Sequence, residues 1–334
     1  PGMKYHDGSP VTAKDVIPSL VRWSKKTTDG AALVSRAASM TATGELTFEI
    51  VLKEPFGPIL DALSNPIQPP FIMREKDAQT DAATQISEAI GSGPFTFAKD
   101  EWVPGSKVVY KKNAAYNARS EPTNAYSGSK APKVDRVEWT YIPDPQTATQ
   151  AFLRAEADIF EIPPIDMLPL LKKDPNITVE VFNKPGVHGM VRFNALHPPF
   201  NNAKARQAFM MAVDQKQYLA GMIGNPEYEK ECYAVFQCGS PNETMVGSEP
   251  FQKPNLEKAK QLMKEAGYDG RPVVVLDPTD QQIIHNISIM AAQTLKDLGV
   301  NVDLQATDWA TVTTRRGQKR SEEHTSELQS RFGI

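Results

Sequence analysis

From Val134 onward the chain alternates short apolar runs with helix-length amphipathic segments, and this constrains the fold more than any other feature. Val134–Ile142 reads as a strand, Thr147–Ala155 as a helix, Asp158–Ile162 as a strand, Asp166–Lys173 as a helix and Ile177–Phe182 as a strand. Strands and helices of these lengths in alternation predict βαβ units and a largely parallel sheet. A second α/β set follows an extended crossover near Arg192-Phe193-Asn194. There Ala203–Val213 is predicted helical, Asp214 and Gln217 box the next helix, and Asn255 caps Leu256–Ala266 before a Gly267 stop. Val273–Leu276 reads as a buried strand. Thr279 and Gln282 then cap a helix whose Ile283, Ile287, Met290 and Leu298 share a face, and Val300–Gln305 supplies the next strand.

The part before residue 134 is less regular. Thr12 and Asp15 form a capping box ahead of Val16, Leu20 and Trp23, with Pro18 expected to kink this helix or delay its start. Leu46–Leu52 alternates as a half-buried strand, Val108–Tyr110 reads as another, and 113–133 has loop composition. At 334 residues the chain exceeds one ordinary core. Its net charge of -3, with Lys and Arg dispersed, argues against a nucleic-acid surface. No run approaches the roughly 20 apolar residues that a membrane-spanning helix needs.

Catalytic signatures are missing: the chain has no nucleophile elbow, P-loop, dinucleotide fingerprint or zinc-protease helix. Gly91-Ser-Gly-Pro94 reads as a plain turn, because Pro94 removes an amide that a phosphate cradle would use. No His pair sits at metal-ligand spacing, so neither a metal nor another cofactor is expected. Cys232 and Cys238 are the only cysteines. Their spacing can close a disulfide loop worth roughly 2 kcal/mol in an oxidising compartment, or leave two free thiols. Residues 320–334 contain RSEEHTSELQS and then RFGI, which resembles a translated sequencing adapter. This tail is set aside as artefactual and expected to be disordered, together with its metal-like Glu322-Glu323-His324 cluster.

Several stretches together resemble the family-5 extracellular solute-binding proteins of peptide and nickel ABC importers. They are His6-Asp-Gly-Ser-Pro-Val-Thr-Ala-Lys-Asp-Val16, Gly91-Ser-Gly-Pro-Phe-Thr-Phe97, Val134-Asp-Arg-Val-Glu-Trp139 with Ile142-Pro-Asp144, and Glu156-Ala-Asp-Ile159. Phe193-Asn194, Pro198-Pro-Phe-Asn-Asn202 with Arg206-Gln-Ala208, and Lys258-Ala-Lys-Gln-Leu-Met-Lys-Glu-Ala-Gly-Tyr268 complete the set. The resemblance implies a two-lobed periplasmic-binding-protein-like (type II) α/β fold, incomplete here, with an accessory α+β subdomain in lobe I. It maps 1–131 to that subdomain, 132–193 to part of the lobe I central sheet and 194–319 to the first half of lobe II. It also implies a monomeric, non-enzymatic receptor in the periplasm, or anchored outside the cell as a lipoprotein, with its signal peptide outside this segment. Such a receptor closes on a peptide-like solute and hands it to a membrane permease; a nickel chelate, an opine or an oligosaccharide are the other solutes implied. A secreted hydrolase using cleft carboxylates and a sensory module without transport are the competing readings.

Ligands of open α/β sheets lie beyond the carboxyl ends of the strands. That nominates Asp277, Thr279 and Asp280 after one strand, and Asp308 and Trp309 after the next. A helix cap is the competing role for Asp280, and core packing the competing role for Trp309. The resemblance adds His188, Met190 and Asn194, on the approach to the crossover.

Overall fold

The computed structural model describes residues 2–124, 127–184 and 186–315, and the strand pairing of residues 327–328. The chain divides into two compact units, Pro1–Asp144 and Pro145–Ile334.

Unit 1 opens with helix α1 (Ala13–Ser24), started by the predicted capping box: the Thr12 amide donates to Asp15 Oδ2 at 2.7 Å. Asp15 also takes the Glu75 amide at 2.8 Å through its other oxygen, so one carboxylate serves two helix starts. Pro18 lies inside α1, which runs through it without a break. Its missing amide costs one intrahelical bond, and the apolar face of Leu20 and Trp23 compensates by burial. Helix α2 (Thr28–Arg36) brings Leu33 onto that face, and α3 (Ile59–Ser64) brings Ala62. Strands β1 (Ala37–Ala42) and β2 (Phe48–Leu52) form an antiparallel ribbon beside it, and the short helix α4 (Glu75–Ala78) follows. Arg74, buried ahead of α4, binds Asp7 and Asp77 at 2.6 Å and Glu88 at 2.5 Å. Three carboxylates around one guanidinium tie the first residues of the chain to residues 74–88.

The rest of unit 1 is a three-stranded sheet of β3 (Phe95–Phe97), β4 (Lys107–Lys112) and β5 (Arg136–Thr140), antiparallel throughout. This corrects the sequence expectation for 134–142. That strand does form, but it pairs antiparallel with β4 across the 113–133 loop instead of opening a parallel sheet.

Unit 2 begins with α5 (Pro145–Leu153), followed after a 3₁₀ turn by the one-turn α6 (Leu168–Leu171), shorter than predicted. Neither 158–162 nor 177–182 is a strand. Both have an apolar pattern but no partner edge among the described residues, and Ile159, Ile162, Val181 and Phe182 are exposed. The crossover carries the two-residue strand β6 (Val191–Arg192), paired antiparallel with β9 (Glu327–Leu328). The remainder of the 320–334 tail, with Glu322, Glu323 and His324, lies outside the described residues.

Helix α7 (Ala203–Ala212) starts at Asn202, which is not among the predicted caps, and α8 (Gln215–Met222) and α9 (Leu256–Glu265) start at theirs. Asn202, Asp214 and Asn255 each accept backbone N–H bonds within the first turn. Strand β7 (Val273–Pro278), helix α10 (Gln282–Asp297) and strand β8 (Val302–Thr307) form a parallel βαβ unit, followed by α11 (Trp309–Arg315). Every residue of β7 is buried. Val273 and Val275 face α7, α9 and α10, while Val274 and Leu276 face Val312 of α11. Helices on both faces explain why this strand reads as an unbroken apolar run.

Candidate functional site

In β7 and β8 the parallel register runs from Val273 opposite Val302 to Pro278 opposite Thr307, so both strands end at one edge. The Thr279 amide donates to the Thr307 carbonyl at 2.9 Å and continues the ladder one step beyond it. Four nominated positions gather here. Asp280 accepts the Trp309 amide at 2.9 Å. Asp308 accepts the Thr311 amide at 2.9 Å and its hydroxyl at 2.6 Å, and these two bonds hold its carboxyl below the usual carboxylate range. Trp309 packs against the Val274–Leu276–Val312 face. Asp280, Asp308 and Trp309 therefore form one joint that starts α11. The predicted Thr279–Gln282 box does not form: Gln281 is the N-cap of α10, without a side-chain bond, and Thr279 turns its hydroxyl to the Thr307 carbonyl.

Asp277 is different. It is 3 % exposed, and its Oδ1 lies 2.7 Å from Nδ1 of His285 in the first turn of α10. A carboxylate only accepts, so the imidazole Nδ1 donates. His285 is not among the residues nominated from the sequence. The available signal was its place, eight residues after a strand-terminal Asp and one turn into an amphipathic helix.

The second group of nominated residues lies on the crossover. Gly189 is held so closely that a Cβ there would sit 3.1 Å from Met222 Cε and 3.2 Å from Ile287 Cδ1. The main chain thus seats between α8 and α10 between the two nominees His188 and Met190. Nε2 of His188 is buried and finds no hydrogen-bond partner among the described residues, while Met190 is partly exposed. Asn194 accepts the Leu196 amide at 3.1 Å, next to Phe193, whose ring packs on Phe200 and Phe209. Helix α10 touches both groups, through Ile287 to Gly189 and through His285 to Asp277.

Cys232 and Cys238 are joined by a disulfide, with their Cα atoms 5.9 Å apart. Gln215 exchanges two 2.9 Å bonds with the Cys232 main chain, and Gln237 donates to the Gly186 carbonyl at 2.6 Å. The closed loop is thereby pinned to α8 on one side and to the approach to the crossover on the other. Two surface hollows, of about 450 Å³ beside Lys14, Pro18 and Arg22 and about 500 Å³ beside Pro199, Tyr268 and Arg271, hold none of the nominated residues. Among the described residues no group of three or more His, Cys, Asp or Glu side chains could hold a metal. No helix among them is long and apolar enough to cross a membrane.

The fold is that of the type II periplasmic binding proteins. Over its whole length the chain superposes on the binding protein AgaA of A. tumefaciens R10, solved with agropinic acid, at a TM-score of 0.80 and 23% identity, covering 64% of that chain. It covers 65% of the binding protein DppA of Helicobacter pylori, solved with the peptide STSA, at a TM-score of 0.74 and 20% identity, using 99% of its own residues. Residues 1–327 match the family described as bacterial extracellular solute-binding proteins, family 5 Middle, and the chain belongs to that family. It is 41% identical over 326 residues to the probable peptide ABC transporter periplasmic-binding protein y4tO of Sinorhizobium fredii. That match takes in 96% of this chain and 60% of the relative's length.

Proposed function

We propose that the protein is the substrate-binding component of an ABC importer and that it captures a peptide-like solute for a membrane permease. The observation that carries this reading is the 41% identity to a peptide importer's binding protein across nearly the whole chain. The fold neighbours include proteins solved with a peptide and with an opine, and at their level of identity they bear on the fold alone. The same homology supports binding without turnover and a periplasmic location. A disulfide fits an oxidising compartment of that kind. In this reading residues 1–193 belong to one lobe and 194–319 to the other, and the solute meets residues at the carboxyl edge of β7 and β8 and on the crossover. His188, Met190, Asn194, Asp280, Asp308 and Trp309 remain the proposed contacts.

The test is a melting screen of the full-length protein against dipeptides to pentapeptides. Saturation to about 100 times Kd adds roughly 2.7 kcal/mol to the folded state, enough to raise the melting temperature by several degrees. No shift with any peptide at millimolar concentration refutes the peptide assignment.

A further inference from the structure

We propose that His285 contacts the solute, with Asp277 positioning it, and that its Nε2 accepts a hydrogen bond from an N–H group of the solute. The proposal rests on the receptor reading above and assigns one side chain within it. Among the polar groups at the carboxyl edge of β7 and β8, most already have a partner within the edge, although the carboxylates keep further acceptor sites. Asp280 is bound to the Trp309 amide, Asp308 to Thr311, and Thr279 to the Thr307 carbonyl. Asn286, next along α10, donates to the Gly221 carbonyl at 3.0 Å.

His285 is the exception. Its Nδ1 faces Asp277 at 2.7 Å, while its Nε2 has no hydrogen-bond partner among the described residues and belongs to a side chain 28% exposed. Asp277 is a strand residue on a fully buried strand, so it cannot swing away. It fixes both the ring's orientation and its tautomer, since a neutral imidazole that donates from Nδ1 offers a lone pair at Nε2. Ser288, one turn further along the same helix, bonds the Leu276 carbonyl at 3.2 Å and pins the helix to the strand. The result is an acceptor held by rigid elements beside the strand edge where ligands of this architecture sit. An N–H of a peptide bond or an ammonium group matches it.

The experiment uses the full-length protein and isothermal titration with trialanine, Ala-Phe-Ala and Ala-Lys-Ala. H285F keeps the ring volume and removes both nitrogens but leaves the buried Asp277 carboxylate unpaired. The double variant D277N/H285F removes that charge and is measured beside it. The expected result is a Kd raised roughly ten-fold or more in both variants, the loss of one well-placed hydrogen bond. D277N alone is expected to weaken binding less, because the ring stays but its tautomer is no longer fixed. A double variant that binds within two-fold of wild type overturns the proposal, even where its melting temperature has fallen, since the pair would then serve folding only. A wild type that binds none of the three peptides overturns the peptide reading and this assignment together.

Discussion

Replacing both cysteines, as C232S/C238S, should lower the stability of unit 2 by an amount that follows from the loop length. The bridge spans a sequence separation of 6. Closing so short a loop removes about 7 cal/mol/K of chain entropy from the unfolded state, or about 2 kcal/mol at 25 °C. For a unit of this size each kcal/mol corresponds to about 2–4 °C in melting temperature, which predicts a fall of about 4–8 °C. The native contacts should largely survive, because Gln215 bonds the main chain of residue 232 and Gln237 bonds the Gly186 carbonyl, neither through sulfur. Differential scanning calorimetry of the wild type, the double serine variant and the wild type under reductant would measure it, with the last two expected to coincide. Thiol alkylation without reductant should label neither cysteine of the folded wild type. Two labelled thiols would refute the reasoning at its base. A fall below about 1 °C with the bridge verified would refute the loop-entropy argument.

In unit 1, G30A should be destabilising although Ala is the better helix former. A Cβ at Gly30 would meet Ser24 Cα at 2.7 Å and the Trp23 ring at 2.8 Å. Overpacking of this kind typically costs 1–3 kcal/mol and should outweigh the roughly 1 kcal/mol of helix propensity gained. An unchanged or higher urea midpoint would contradict it. Glu101 should stay ionised well below the usual range. The Arg136 guanidinium, at 3.0 and 2.6 Å, and then Lys111, at 2.6 Å, lower its carboxyl to about 2. The folded value lies below the unfolded one. The stabilisation is therefore complete above the unfolded pKa, about 4.3, and is lost as pH falls toward about 2. Carboxyl NMR should find Glu101 ionised at pH 3 in the wild type and titrating higher in R136Q; a wild-type midpoint near 4.3 would overturn this.

The features legible in the sequence are those decided within a few residues. The caps at Thr12, Asp214 and Asn255 need only a side chain and amides two or three positions away, and each forms. The apolar run at Val273–Leu276 was legible because burial on both faces leaves no polar alternation. The failures are decisions made at long range. Ile177–Phe182 has a strand's composition, yet a strand exists only if another edge accepts its backbone bonds. Arg136–Thr140 is a strand in either reading, but nothing within it says that Lys107–Lys112 will receive it antiparallel. The carboxyl edge of β7 and β8 was located correctly, and Asp280, Asp308 and Trp309 do meet there. The roles of Asp280 and Asp308 as anchors for α11, and the pairing of His285 with Asp277, depend on strand register and on the phase at which α10 begins. Neither is written in the local pattern.

The fully buried strand β7 also bears on the order in which unit 2 acquires its structure. The partners on its α7–α9–α10 face and along its β8 edge are all drawn from one uninterrupted stretch, residues 203–307, with α11 added to the other face afterwards. Little loop closure is needed before these contacts reward it, so nucleation should centre here. Truncations at Ile287 or Leu295 would then slow refolding itself, while changes near α5 or α6 would mainly hasten unfolding. A nascent chain that has just released Thr307 already contains every residue this nucleus uses.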